Sequence, residues 1–97
     1  MIVNTGKTYI VHARERCPFC VSAVNLLSTL RGQVTYCVFF HENKRDPKLL
    51  QEQKKWSWKT VPIIIESTTS EHGDVTERLI GGYTDLCLEL GVNPDDY

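Results

Sequence analysis

Tyr9-Ile10-Val11-His12-Ala13-Arg14-Glu15-Arg16-Cys17-Pro18-Phe19-Cys20 is the stretch that decides the architecture. Lys7 to Ala13 is rich in β-formers and reads as a first strand. Pro18 then stands where a first helical residue belongs, because its missing N–H costs nothing in the first turn. From there Cys20, Ala23, Val24, Leu27 and Leu30 recur at three- and four-residue spacing, one apolar helix face that ends at Gly32. Strand, turn and helix together put Cys17 at a helix N-terminus and Cys20 one turn in. The unsatisfied N–H groups and the dipole at that end favour a thiolate over a thiol. Thiolate is the form of cysteine that attacks disulfides.

Working outward, Val34 to Phe40 is a nearly continuous apolar run, the pattern of a buried central or parallel strand. Asp46-Pro47 is an N-cap followed by a first-turn proline, so Pro47 to about Lys55 reads as a second helix, with Leu49, Leu50 and Gln53 as its modest apolar face. Pro62 to Glu66 and Thr76 to Ile80 read as two further strands, joined by a polar loop from Ser67 to Asp74. Gly81-Gly82 breaks the last strand, and Thr84 caps a final helix running to about Leu90. The order is β-α-β-α-β-β-α. The first two strands are then parallel through a right-handed crossover and the last two form a hairpin. The expected architecture is an α/β domain over residues 1–97, a four-stranded mixed sheet flanked by three helices.

Composition narrows the function. Ninety-seven residues, 41% apolar and 24% charged, fit one small globular core. A formal net charge of −1 gives no electrostatic case for nucleic acid or an anionic membrane. No apolar run approaches the roughly 18–20 residues of a membrane span. Met1 to Lys7 has none of the parts of a signal peptide. Of the four cysteines, Cys17 and Cys20 sit in a C-x-x-C and no secretory signal accompanies them, so a reducing, cytoplasmic compartment is expected. Zinc knuckles share C-x-x-C, but a zinc site needs two more ligands and Cys37 and Cys87 lack paired spacing. No metal is expected. Cys37 and Cys87 read as buried small hydrophobes, and His12, His41 and His72 as incidental.

Three separated motifs, Cys17-Pro18-Phe19-Cys20, Thr60-Val61-Pro62 and Gly81-Gly82-Tyr83-Thr84-Asp85-Leu86, together resemble the signature set of dithiol glutaredoxins, the small bacterial proteins and their viral relatives. The resemblance runs from the first strand to the last helix. It implies a thioredoxin-like fold, a monomer, and glutathione as co-substrate with no tightly bound cofactor. It implies glutathione-dependent reduction of protein disulfides and glutathione mixed disulfides, with ribonucleotide reductase as one protein acceptor.

It also implies roles. Cys17 is the nucleophile, helped by nearby Arg14 and Arg16, and Cys20 is the resolving thiol. Arg14 and Lys59 hold the glycine carboxylate of glutathione, a task suited to a planar guanidinium. Arg16 contributes only its positive field. Phe19, where tyrosine is commonest, shields the sulfur. Val61 offers its backbone to the cysteinyl part of glutathione, beside a cis Pro62, the one residue type for which cis is cheap. Thr84 and Asp85 receive the γ-glutamyl end at the start of the last helix. Gly81 and Gly82 permit close approach and positive φ. Two departures stand out: Trp58 lies near a position usually polar in the family, and the Ser67–Asp74 loop exceeds a tight hairpin. Trp56 and Trp58 read as packing residues or as a docking surface for a protein. Two other readings use the same thiols, a thioredoxin-like carrier reduced directly by a reductase and a dimer bridging an iron–sulfur cluster through Cys17. The Gly81–Asp85 segment and Arg14 disfavour the first, and Pro18 the second.

Overall fold

The computed structural model describes residues 7–96, so the reading of the first six residues as free of a targeting segment lies outside the described residues. β1 (Lys7–Arg14) is followed by α1 (Pro18–Thr29), β2 (Thr35–His41), α2 (Pro47–Trp56), β3 (Ile63–Thr69), β4 (Val75–Gly81) and α3 (Tyr83–Leu90). The sheet order is β2-β1-β3-β4, with β1 parallel to β2, antiparallel to β3, and β3 antiparallel to β4. This is the expected mixed sheet in the expected element order.

β1 is the spine. Its alternate residues Tyr9, Val11 and Ala13 point to one face, where α1 and α3 bury Ala23, Leu26, Leu27 and Leu86 against them. Ile10 and its neighbours Ile63 and Ile65 point to the other face, which Leu49 of α2 covers. Helices on both faces of a four-stranded sheet give two cores that share the strands.

Several boundaries differ from the sequence reading. β2 is an edge strand and not a buried central one: Phe39 and Phe40 are 52% and 60% exposed. A continuous apolar run shows that both faces are apolar, not that both are covered. Cys37 is accordingly half-buried, whereas Cys87 is fully buried as expected. In α1 the buried residue missed by the spacing is Leu26, and Val24 is only partly covered. The helix stops at Thr29, where the Leu30 N–H folds back to the Leu26 and Leu27 carbonyls. Gly32, with φ +92°, belongs to the turn that follows. In α2 Leu49 alone is buried, and Leu50 faces solvent.

The Ser67–Asp74 loop shortens to Ser70–Asp74, because Ser67, Thr68 and Thr69 pair with Glu77, Thr76 and Val75. These residues are polar and leave no apolar signal, but threonine suits a strand. Ser70 closes the turn: its N–H donates to the Asp74 carbonyl, and its hydroxyl oxygen accepts from the His72 and Asp74 N–H groups. α3 starts two residues earlier than expected, capped by Gly82 and not by Thr84. No described helix is long and apolar enough to cross a membrane.

Candidate active site

The Cys17–Cys20 pair and the cations Arg14 and Arg16 lie at one end of the sheet, where β1 delivers the chain to α1. Arg14 closes the strand, and Arg16 turns the chain with φ +56°, the left-handed region that non-glycine residues seldom occupy. Cys17 is the helix cap, with Pro18 at the first helical position. The Cys20 N–H donates to the Cys17 sulfur at 3.2 Å, and Cys17 and Cys20 are joined as a disulfide with Cα atoms 5.2 Å apart. The sequence reading of a sulfur at the helix N-terminus is therefore a literal hydrogen bond. It is the bond that would hold a thiolate once the disulfide opens. Cys20 is the deeper of the pair, 3% exposed against 6% for Cys17. The Val61 carbonyl oxygen lies 3.7 Å from the Cys17 sulfur, and the Val61–Pro62 peptide bond is cis.

Two hollows, the larger of them lined by Cys17, share Phe19, Thr60 and Val61 as a common wall. The larger, about 480 Å³, is bordered by Cys17 and by Arg14, Arg16, Lys44 and Lys59, with Leu49 and Gln53 of α2 at its side. No carboxylate lines it, and none of the four cations makes an ion pair among the described residues. The Arg14 Nε–H is buried without a partner. The smaller hollow, about 250 Å³, lies at the start of α3, where Pro62, Gly82, Thr84 and Asp85 face Trp58. Its Trp58 indole N–H is likewise buried and unpartnered.

All eight residues assigned to glutathione by resemblance border these hollows: Arg14 and Lys59 the first, Pro62, Gly82, Thr84 and Asp85 the second, Phe19 and Val61 both. Their details differ from expectation at α3. One Asp85 carboxylate oxygen accepts from the Gly82 N–H at 2.9 Å, so this donor is already used and Asp85 caps the helix from its third position. Of the two glycines only Gly81 has positive φ, +123°, and a side chain there would collide with the Asp85 carboxylate. Gly82 has room for a Cβ at ordinary contact distance. Phe19 stands 59% exposed and stacks on Tyr83 with ring centres 6.2 Å apart.

Sequence reasoning missed Lys44 and Gln53, which come to the cleft from the β2–α2 connection and from α2. No local pattern marks them, because only the crossover brings them beside Cys17. It also missed the pairing of His12 with His41. The His12 Nδ1 and His41 Nε2 atoms lie 3.1 Å apart with ring centres 5.3 Å apart, so the rings meet edge to edge and share one hydrogen bond. Glu52 stands 3.6 Å beyond His12, and Asp46 3.8 Å beyond His41. Burial pushes the His12 pKa below its ordinary value; Glu52 opposes that shift and His41 adds to it. Burial likewise pushes the Cys37 thiol up, leaving it a poor nucleophile.

No protein-family model and no curated protein sequence matches the chain. Among solved structures it is similar to glutaredoxin 1 from Francisella tularensis, crystallised with cacodylate, with a TM-score of 0.61 and 18% identity. The likeness covers 88% of this chain and 93% of that one. The fold is thioredoxin-like. At that identity the comparison establishes the architecture, and the chemistry rests on the residues at the cleft.

Proposed function

We propose that this protein is a thiol–disulfide oxidoreductase of the glutaredoxin type, reduced by glutathione. The observation that carries the reading is the Cys17–Cys20 disulfide at a helix N-terminus, beside a cleft of unpaired cations and under the Val61 carbonyl. In the reduced protein the Cys17 thiolate attacks one sulfur of a target disulfide. A Cys17–target disulfide forms and the second target sulfur leaves as thiolate. The Cys20 thiolate then attacks the Cys17 sulfur, forms the intramolecular disulfide and releases the first target sulfur. Two electrons have passed to the target. One glutathione thiolate next attacks the Cys17 sulfur and frees Cys20. A second attacks the glutathione sulfur of that mixed disulfide, giving oxidised glutathione and restoring both thiols.

Glutathione carries two carboxylates and one ammonium, and the two hollows suit its two ends. Arg14 and Lys59 take the glycine carboxylate. The open N–H groups at the start of α3 take the γ-glutamyl carboxylate, with Asp85 facing the ammonium. The Val61 backbone pairs with the central cysteinyl residue in the manner of an added strand. Protein disulfides, ribonucleotide reductase among them by resemblance, are the acceptors, and the working form is a cytoplasmic monomer.

The test is turnover with glutathione, glutathione reductase and NADPH, on a glutathionylated peptide and on a protein with an intramolecular disulfide. The wild type should reduce both. Cys17→Ser should reduce neither. Cys20→Ser should keep the first reaction, which needs a single attack, and lose most of the second, because the neighbouring thiol's high effective concentration is gone. Turnover that requires a thioredoxin reductase in place of glutathione would refute the proposal.

A further inference from the structure

Resting on the reading above, we infer that the cleft selects protein disulfides flanked by acidic residues, through Arg16 and Lys44 acting beside the glutathione site. The first observation is surplus charge. Arg14 and Lys59 suffice for one glycine carboxylate, yet Arg16 and Lys44 border the same cleft and neither has a carboxylate partner among the described residues. An adjoining hollow brings Glu15 and Glu42 next to Arg14, Arg16 and Lys44, which still leaves a surplus of two positive charges across both hollows. The chain as a whole carries a formal charge of −1, so positive charge is concentrated at the reactive sulfur.

The second observation is backbone geometry. Arg16 occupies φ +56° immediately before Cys17, a conformation that glycine or asparagine reaches more cheaply. A long cation stands there despite that cost. The third is access. Phe19 is 59% exposed and Pro18 is exposed, so the sulfur sits at a surface that a polypeptide can reach, with the cations on one side of it. An excess of one charge beside an approach path draws oppositely charged partners, speeds their encounter and weakens with salt. The partner it fits is a polypeptide bearing Asp or Glu close to its disulfide.

The experiment compares two disulfide peptides of identical core, one flanked by glutamates and one by lysines, in the glutathione-coupled assay. Each rate is divided by the rate with glutathione alone, which cancels the peptides' own reactivity. At low ionic strength kcat/KM should favour the acidic peptide by about tenfold, and the preference should collapse toward unity at high salt. The double change Arg16→Glu with Lys44→Glu should invert the ratio. Because both peptides meet the same Cys17, any general loss of thiolate reactivity in the variant divides out. Equal turnover of the two peptides, or a preference that the double variant leaves unmoved, would overturn the inference while glutathione chemistry stands. Failure of every substrate, including 2-hydroxyethyl disulfide, would instead refute the oxidoreductase reading and this inference with it.

Discussion

Cations at the cleft and cations elsewhere on the surface are treated differently. Away from the cleft, Lys7 pairs with Glu66 at 3.2 Å and Arg78 reaches both Glu66 at 2.9 Å and Glu89 at 2.7 Å on the α3 face of the sheet, and Lys55 of α2 meets Glu77 at 3.1 Å on the other. At the cleft Arg14, Arg16, Lys44 and Lys59 have no such partners among the described residues. Exposed ion pairs add little to stability, so the paired network chiefly neutralises itself. Unpaired charge around a reactive sulfur leaves its field available to a thiolate and to an anionic ligand. The difference separates a surface that settles its own electrostatics from one left for a substrate to complete.

The largest effect is expected where the cleft meets the core. Leu49 is 1% exposed, packs with Ile63 and Ile65, and lies along the cleft wall. Leu49→Ala should cost about 2–5 kcal/mol of unfolding free energy, read as a lowered urea midpoint. A loss below that range would mean that α2 is not anchored through this side chain.

Removing cleft charge should act on binding and not on folding. Arg14→Ala and Lys59→Ala should each raise the KM for glutathione by a few-fold, about 0.2–1 kcal/mol, with the midpoint unmoved. Arg78→Ala is the control from the other side: unchanged glutathione kinetics and a small change in stability. Should Arg78→Ala weaken glutathione as much as Arg14→Ala does, the division between the two populations of cations would be wrong.

The architecture was legible where local chemistry is strong. Pro18 and Pro47 marked two helix starts, and Cys17-x-x-Cys20 fixed the active end, because caps and first-turn prolines act within four residues. What the sequence hid depends on long-range packing. The Val34–Phe40 run looked buried because apolarity cannot report which strand ends up at the edge. Thr68 and Thr69 looked like loop because a strand exposed on both faces has no alternation. Lys44 and Gln53 reach Cys17 only through the crossover, and His12 meets His41 across 29 residues, along a register that no short window contains. At α3 the motif marked residues that border a hollow but not the state of their polar groups, since the Asp85 carboxylate is engaged by the Gly82 N–H.

The smallest effect is on the pH dependence of stability. Burial holds the His12 pKa below the ordinary histidine value in the folded protein, so the unfolded chain binds the proton first and stability falls as pH drops through that window. Glu66 adds a second window below 4.5. Burial pushes its carboxyl up, but hydrogen bonds from Arg78 and Lys7 outweigh that and hold it below the ordinary value, so its contribution is also lost on acidification. Chemical denaturation from about pH 7 to about pH 5 should show a shallower decline for His12→Gln than for wild type. Identical slopes would show that His12 titrates in the folded protein as it does in the unfolded chain.

The most direct measurement of the central claim is to trap the glutathione adduct. Cys20→Ser protein treated with oxidised glutathione, digested and mapped by mass spectrometry should carry one glutathione, on Cys17. Its formation should slow when Arg14 and Lys59 are replaced by alanine or when salt is raised. Glutathione found on Cys37 or Cys87, or adduct formation indifferent to the cleft cations and to salt, would contradict the account.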